Sequence, residues 1–350
     1  MTHPVADARV DADLFGLPSL DPVSPEPRPL SACNVLVTGG AGFIGSHLVD
    51  ELITRQVKSI AVIDDLSLGR RENLAEAFEA RPDLALEVGD AADFRFLESA
   101  ITRLDIDVVF DLATRPLPYS LEHPHTTVMM NVAMLTNLAE LARFGVIDTI
   151  VHFSSSEIYG TAQSVPMTEQ HPIVPLTPYA ASKAAADLVL STYTETFAID
   201  ACTVRPFNNY GPRQNDAAYA GVIPIAVERA LLGEPMPIHG DGEQTRDFVY
   251  VGDTARAAVD AYEHPATRGR IINLGSGTEI SVNELVAAIY EAAGARLRRE
   301  HGPPRPADVR RHCSSSTLAS ELIGFQPRIG PDEDLARTVE WYRSRERVAL

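Results

Sequence analysis

A glycine-rich turn between a short apolar segment and a helical segment constrains this chain more than any other feature. Residues 34–38 read Asn-Val-Leu-Val-Thr, which is typical of a buried strand, and Gly-Gly-Ala-Gly-Phe-Ile-Gly follows directly at 39–45. Residues 43–55 carry apolar side chains at helical spacing. Because a helix that opens on glycines presents backbone amides to an anion, the segment predicts a pyrophosphate site at a helix N-terminus.

A carboxylate after the next strand extends this pattern. Residues 59–63 form a second apolar strand, and Asp64 follows 19 residues after Gly45. The dinucleotide fingerprint has an acid near that distance, where it binds the adenosine ribose. An acid there favours NAD over NADP, because it would repel the additional phosphate. The neighbouring Asp65 is ambiguous, since it could also cap a loop.

Three further residues predict an acid/base device for alcohol oxidation. Tyr179 and Lys183 lie four residues apart in Tyr-Ala-Ala-Ser-Lys, and Ser155 lies 24 residues before Tyr179. On a helix, residues four apart share a face, so the Lys183 ammonium is expected to lower the pKa of the phenol from its usual value near 10. The Ser155 hydroxyl would hold a substrate oxygen near that phenol. Tyr-x-x-x-Lys alone also recurs by chance on helices.

The order of elements predicts an α/β fold with a doubly wound, Rossmann-type parallel sheet and a smaller, discontinuous C-terminal lobe. Short apolar strands alternate with helices from residue 34 to about 205. The predicted division is a flexible Pro-rich arm at 1–31, an NAD-binding domain at 32–207 to which 247–275 returns, and a substrate lobe at 208–246 and 276–346.

Composition narrows the classes of function. A formal charge of −18 argues against binding to a nucleic-acid backbone. No apolar run has the length of a membrane span, and no signal sequence is recognised, so we expect a cytoplasmic protein. Three widely spaced cysteines make disulfides and a zinc site poor hypotheses, and His123 and His125 have no converging ligands, so no metal is expected.

The chain resembles the extended short-chain dehydrogenase/reductase family, specifically its nucleotide-sugar epimerases, dehydratases and decarboxylases, from about residue 33 to 346. Besides the segments above, the similarity includes Ser-Ser-Ser-Glu-Ile-Tyr-Gly at 154–160, Tyr-Gly-Pro-Arg at 210–213 and Gly-Asp-Gly-Glu-Gln-Thr-Arg-Asp-Phe at 240–248. The resemblance implies one tightly held NAD and a nucleoside diphosphate sugar as substrate. It implies NAD contacts from Gly39, Gly42, Phe43, Ile44, Gly45, Asp64, Asp65, Asp90, Ala91, Leu112, Ala113, Thr114, Asn131, Tyr179, Lys183 and Pro206.

The residues beside Ser155 distinguish the reactions of this family. The resemblance implies that Tyr179 and NAD oxidise the sugar at C4, and many 4,6-dehydratases then use an adjacent Asp-Glu pair. Here the pair is Ser156-Glu157, which resembles the UDP-glucuronic acid decarboxylases. The sequence therefore favours decarboxylation of UDP-glucuronic acid to UDP-xylose or UDP-4-keto-xylose, with a 4,6-dehydratase or 4-epimerase as the alternative.

The same resemblance suggests substrate contacts and an assembly. Arg246 would face the substrate carboxylate or else the nucleotide, and Arg115 would be either a second carboxylate contact or a solvated loop charge. The remaining predicted substrate contacts are Asn208, Arg229, Arg305 and Asp308. A homodimer is expected through helices near 123–143 and 178–197, although Leu135, Leu138 and Leu141 could instead only cover the sheet.

Overall fold

The computed structural model describes residues 26–216, 220–304, 308–327 and 331–348. Most of the predicted arm, residues 1–25, lies outside this range. At its end, Leu30–Ala32 forms a short 3-10 helix, and Arg28 pairs with Asp107 and Asp148 at 2.7 and 2.9 Å. The arm therefore joins the folded body at the amino ends of the strands.

Seven parallel strands form the central sheet, in the spatial order β3-β2-β1-β4-β5-β6-β11. The strand bounds are β1 Asn34–Thr38, β2 Ser59–Asp64, β3 Ala85–Val88, β4 Val108–Asp111, β5 Thr149–Phe153, β6 Asp200–Pro206 and β11 Ile271–Leu274. The order reverses next to β1, which is the switch point where open α/β sheets bind ligands. The predicted fold class is confirmed.

The remaining strands form small two-stranded sheets beyond the main one. They are β7 Asn208–Tyr210, β8 Met236–His239, β9 Thr245–Arg246, β10 Phe248–Tyr250, β12 Ile280–Ser281 and β13 Arg299–Gly302. They pair as β10 with β7, β12 with β9 and β13 with β8. Residues 247–275 are predicted to return to the NAD-binding domain. Within this segment, β11 joins the main sheet beside β6 and the helix Val251–Glu263 packs against the helix Phe43–Thr54, whereas β10 pairs with β7.

Helices cover both faces of the sheet and build the smaller lobe. Their bounds are α1 Phe43–Thr54, α2 Ala75–Ala80, α3 Phe94–Arg103, α4 Leu117–Glu122, α5 Pro124–Arg143, α6 Pro178–Phe197, α7 Val222–Leu232, α8 Val251–Glu263, α9 Val282–Ala292, α10 Thr317–Ile323 and α11 Pro331–Val348. Helix α8 packs against α1 but has no strong apolar signal in the sequence, because it buries an Arg256–Asp253 ion pair of 2.6 Å.

Alternating side chains of the sheet pack into two separate hydrophobic cores, one on each face. Val35 and Val37 of β1 pack on the side of α1 and α8, whereas Leu36 packs on the side of α3 and α5. A third core lies in the smaller lobe between α7, α9 and α11. Since the strands are buried on both faces, only their carboxyl ends are free to build a site.

Candidate active site

A cavity of about 490 Å³ opens at the carboxyl ends of the central strands. Its wall comes from the turn after β1, the ends of β2 and β4, the segment after β5, the start of α6 and the segment after β6. Of the predicted NAD contacts, all but Asn131 line this cavity. The sheet thus gathers side chains that are far apart in the sequence.

The glycine turn is packed too closely for any side chain. A Cβ on Gly45 would lie 2.2 Å from the carbonyl oxygen of Gly39, and Gly39 itself has a φ of +66°. A Cβ on Gly39 would also lie 3.0 Å from the backbone of Ala113 on the loop after β4. The turn therefore brings bare backbone and the N-terminus of α1 to the cavity, as a pyrophosphate requires.

Asp64 and Asp65 have different surroundings and opposite changes in pKa. Asp64 is 7% exposed and accepts hydrogen bonds from the backbone amides of Ala41 and Leu66 at 3.0 and 2.9 Å, while burial raises its pKa. Burial also opposes ionisation of Asp65, but hydrogen bonds from Ser67 and the charge of Arg115 keep its pKa below the usual range. Asp64 is thus held firmly at the place where the fingerprint has a ribose carboxylate.

Arg115 lies in the cavity wall, where it is already paired. Its Nη2 donates to Asp65 at 2.7 Å and its Nη1 donates to the Ser67 hydroxyl at 2.7 Å. The side chain is 16% exposed, so it is not a solvated loop charge. The backbone of the same residue is bound by Asn131, whose Oδ1 accepts from the Arg115 amide at 2.7 Å.

The cavity residues fit a dinucleotide. Gly39 and Gly45 leave room for a phosphate against the start of α1, and Asp64 ends the neighbouring strand. A β1-to-α1 turn of this shape, with an acid on the next strand, is the arrangement that binds NAD in doubly wound sheets.

The predicted acid/base residues also converge on this cavity. Tyr179 lies in the first turn of α6, and Ser155 lies directly after β5, where its hydroxyl forms a hydrogen bond with the phenol. Burial raises the pKa of Tyr179 to about 12, the hydrogen bond with Ser155 opposes that increase, and the charges of Glu157 and Asp187 add to it. In the protein alone, the phenol is therefore un-ionised at neutral pH.

The position of Lys183 differs from the sequence-based expectation. Its ammonium is 4% exposed and donates to the carbonyl oxygen of Phe153 at 2.8 Å. Burial lowers its pKa, and the charges of Asp111 and Asp187 act in the opposite direction. The structure does not reproduce the predicted decrease in the pKa of Tyr179, because burial of the phenol raises that pKa and the charges of Glu157 and Asp187 add to the increase.

Glu157 lies in the cavity wall, whereas its neighbour Ser156 lies outside it. Glu157 lines the cavity, and burial raises its pKa against the opposing charge of Arg246. Ser156 is 3% exposed and outside the cavity wall, and its carbonyl oxygen accepts a hydrogen bond from His312 Nε2 at 3.1 Å. The short 3-10 helix Ser156–Tyr159 produces this separation, so Glu157 alone of the pair faces the cavity.

Several predicted contacts lie outside the cavity wall. Arg246 donates to Asp308 at 2.8 Å and to the Val309 carbonyl at 2.6 Å, which makes the two predicted substrate residues partners of each other. Arg229 pairs with Glu234. The side chain of Asn208 reaches the Asp247 carbonyl, and its neighbour Asn209 lines the cavity instead. Arg305 lies outside the described residues.

Asn131 is a further correction, since its side chain does not line the cavity. Its amide nitrogen donates to the Ser182 hydroxyl at 2.9 Å and to the Arg115 carbonyl at 3.1 Å. Both partners lie on neighbouring segments, so Asn131 braces the loop after β4 against α6. Asn131 therefore supports the cavity wall without lining it.

The cavity also contains residues that the sequence did not single out. Arg70 and Arg345 both pair with Asp216, at 2.7 and 2.6 Å, and Arg213 pairs with Asp50 of α1 at 2.6 Å. Arg213 belongs to the Tyr-Gly-Pro-Arg motif, which could have revealed it. Arg345 comes from α11, and no local sequence signal connects it to this site.

Neither a cluster of metal ligands nor a membrane-spanning helix occurs in the described part of the chain. No group of three or more His, Cys, Asp or Glu side chains in it is arranged to hold a metal ion. None of its helices combines the length and apolar character needed to cross a bilayer.

Comparison with known proteins defines the class. The family model described as GDP-mannose 4,6 dehydratase matches residues 36–338. A UDP-glucose 4-epimerase of Mycolicibacterium smegmatis is 39% identical over 89% of this chain and 98% of its own length. A dTDP-glucose 4,6-dehydratase of Actinoplanes sp. is 35% identical over 89% and 98%.

A solved structure supports the same assignment. The dTDP-glucose 4,6-dehydratase DesIV of Streptomyces venezuelae, solved with NAD bound, superposes with a TM-score of 0.84 at 31% identity, covering 90% of this chain and 98% of that one. The chain belongs to the extended short-chain dehydrogenase/reductase family of nucleotide-sugar epimerases and dehydratases.

We expect Gly45→Ala to abolish the close backbone approach at the cavity. The added Cβ must move the Gly39 carbonyl from 2.2 Å to an ordinary contact, which displaces the turn. NAD affinity, measured by calorimetry, should fall at least tenfold, which corresponds to about 1.4 kcal/mol. Gly302→Ala is the matched control, since its Cβ would meet nothing closer than 3.9 Å. Unchanged affinity in Gly45→Ala would contradict this use of the turn.

The raised pKa of Tyr179 predicts a rate that increases with pH. A phenol whose pKa is raised to about 12 is a base only when ionised, so each fall in pH removes phenolate and slows oxidation. The pH profile of kcat should rise towards alkaline pH. Tyr179→Phe should lower kcat by roughly 10²-fold or more at every pH and remove that rise. A profile that is flat in the wild type would exclude Tyr179 as the base.

Proposed function

We propose that this protein is an NAD-dependent 4,6-dehydratase of a nucleoside diphosphate hexose. The observation that carries the proposal is that Glu157, a half-buried carboxyl with a raised pKa, lines the same cavity as Ser155 and Tyr179. A 4-epimerase needs no acid after the first oxidation, whereas elimination of water does.

In the first step, Tyr179 and Ser155 act on the C4 hydroxyl of the hexose. Ser155 donates to or accepts from that oxygen, and the Tyr179 phenolate removes its proton. NAD, which the glycine turn and Asp64 would hold, would supply the hydride acceptor for C4 and the positive charge of its ring. Lys183 contributes a fixed, buried ammonium behind the tyrosine. The C4 carbon becomes a ketone, and the adjacent C5 proton becomes acidic.

In the second step, Glu157 moves one proton over a short distance. Its carboxylate takes the C5 proton, and the resulting carboxylic acid delivers a proton to the C6 hydroxyl, which leaves as water. The C5–H and C6–O bonds break, and a C5–C6 double bond forms. The hydride removed from C4 would then return from the reduced cofactor to C6, and a solvent proton would add at C5, which gives the 4-keto-6-deoxy sugar and restores the oxidised cofactor. A raised pKa suits this task, because the same group must accept and then donate near neutral pH. One carboxyl can therefore replace the Asp-Glu pair of many dehydratases.

A 4-epimerase is the second candidate. It is favoured by the 39% identity with the Mycolicibacterium smegmatis UDP-glucose 4-epimerase, which exceeds the 35% identity with the Actinoplanes dehydratase. In that reaction, the residues at C4 would act in the same way, and the ketone would rotate before reduction. Glu157 would then have no chemical step.

Decarboxylation of UDP-glucuronic acid receives less support than these two reactions. The relatives compared above are named epimerases and dehydratases. In addition, Arg246, the residue expected to meet a substrate carboxylate, is paired with Asp308. We retain Arg246, Asp308, Asn208 and Arg229 as proposed contacts of the nucleotide half only.

Product analysis in heavy water separates the three reactions. NAD-loaded protein would be incubated with GDP-mannose, dTDP-glucose, UDP-glucose and UDP-glucuronate. A dehydratase gives a product lighter by one water with solvent deuterium at C5. An epimerase gives a product of unchanged mass without that label, and a decarboxylase releases carbon dioxide from UDP-glucuronate. Either of the last two results would overturn the proposal.

Glu157→Gln should separate oxidation from elimination. Gln keeps the size of the side chain but cannot shuttle a proton, so dehydration should slow by roughly 10²-fold or more. Reduction of NAD by substrate, followed by absorbance in a single turnover, should persist. Glu98→Gln, at an exposed position of α3, is the control. Wild-type dehydration by Glu157→Gln would show that another group carries the proton.

We also propose a homodimer formed through α5 and α6. Leu135, Leu138 and Leu141 are buried at 0–1% exposure, so they cover the sheet and do not mark an interface. Apolar side chains that do face outwards are Met129 at 59% and Leu188 at 63% exposure, one on each helix. The two helices pack on each other, and we propose that their outward faces form the dimer interface together.

A charged substitution should test that assembly. The double variant Met129→Glu and Leu188→Glu should be monomeric at micromolar concentration by analytical ultracentrifugation, because an interface cannot bury unpaired carboxylates. Leu232→Glu, on α7 with 58% exposure, should leave the association unchanged. A dimer that survives the double substitution must use another surface.

A further inference from the structure

A buried histidine on β5 lies between two buried carboxylates, one on β4 and one on α6. His152 of β5 is 2% exposed, and its Nδ1 is 2.8 Å from Asp111 Oδ2 on β4. Its Nε2 is 3.7 Å from Asp187 Oδ1 on α6. Within the described residues, that nitrogen and that oxygen are both buried without a hydrogen-bond partner.

The geometry determines where the imidazole protons lie. Asp111 Oδ1 already accepts from the Thr38 hydroxyl at 2.9 Å, and a carboxylate oxygen at 2.8 Å from Nδ1 requires a proton on that nitrogen. If Nε2 were bare, its lone pair would face the Asp187 oxygen, and two buried acceptors would stay unsatisfied. A second proton on Nε2 replaces that repulsion by an attraction between opposite charges.

The surrounding charges explain why this proton matters. Asp187 Oδ2 accepts from Arg205 Nε and Nη2 at 3.0 and 2.8 Å, which leaves Oδ1 facing the histidine. The charges of Asp111 and Asp187 both act on the Lys183 ammonium. The charged groups around His152 are therefore Asp111 from β4, Asp187 and Lys183 from α6, and Arg205 from β6.

We propose that His152 is a positioning residue for the oxidation at C4, an assignment that rests on the proposed function. Protonated at both nitrogens, its imidazole ties Asp111 to Asp187 and balances part of their negative charge. The ring thereby offsets the negative charge of Asp187, which lies about two turns from Tyr179 on the same face of α6.

Removal of the His152 imidazole should change the pKa of the Tyr179 phenol, although the two side chains are not in contact. Two carboxylates would remain with one fewer cation, and the charge of Asp187 already raises the pKa of Tyr179. That pKa would rise further, so less phenolate would form at a given pH. The effect belongs to the chemical step, because Asp111, Asp187, Lys183 and Arg205 are not among the proposed contacts of the sugar nucleotide.

The experiment uses the full-length NAD-loaded protein, two substitutions of His152 and one control substitution. In His152→Phe, kcat at pH 7 should fall about tenfold and the rising limb of its pH profile should move up by about one unit, while KM stays unchanged. His152→Asn keeps a donor towards Asp111 and should recover part of the loss. Thr149→Val, on the same strand, removes a buried 2.7 Å bond to Asp200 and should lower Tm without moving the limb.

A direct measurement covers the case in which the variants fold poorly. Nitrogen-15 NMR of the wild-type protein, with the signal assigned by its loss in His152→Asn, should show both ring nitrogens protonated at neutral pH. A neutral ring, or a pH limb that stays in place while only Tm falls, would overturn the proposal. If no nucleotide hexose is turned over, the proposed function fails separately, and the ring signal still decides the charge of His152.

Discussion

The burial of charged side chains between α6 and the sheet is the interaction on which the rest of the site depends. One face of α6 carries Tyr179, Lys183 and Asp187 at successive helical turns. The lysine is almost fully buried, and an isolated buried ammonium is strongly unfavourable unless it is paired and hydrogen-bonded. The Phe153 carbonyl and the carboxylates from β4 and α6 provide that compensation. The helix is thereby fixed to the sheet at the point where the phenol must be placed.

The cofactor side of the cavity relies on a different constraint, namely contact between backbones. Gly39 and Gly45 approach each other and the loop after β4 so closely that a single methyl group is excluded. This packing fixes the position of the α1 N-terminus relative to Asp64, whose oxygens are held by two backbone amides. The backbone and the carboxylate that we propose as phosphate and ribose contacts are therefore held in place by the protein alone.

Most of the central sheet could be predicted from the sequence, because its strands are short apolar runs bounded by turns. Residues 34–38 and 149–153 match β1 and β5 at both ends. Helix α8 could not be predicted in this way, since its buried Asp253–Arg256 pair obscures the apolar spacing. Residue type and spacing brought Ser155, Tyr179 and Lys183 into one hypothesis, and the family resemblance added Glu157. The compensation of Lys183 depends on residues of two other elements, which no local pattern connects.

The return of β11 to the main sheet determines how the smaller lobe could be replaced by that of a related protein. The chain leaves the sheet after β6, builds β7 to β10 with α7 and α8, and comes back beside β6 before it leaves again. A chimera that carries a relative's sugar-binding lobe therefore needs two splice points, one on each side of this strand. Grafting at a single junction would remove the edge of the sheet and, with it, the partner of β6.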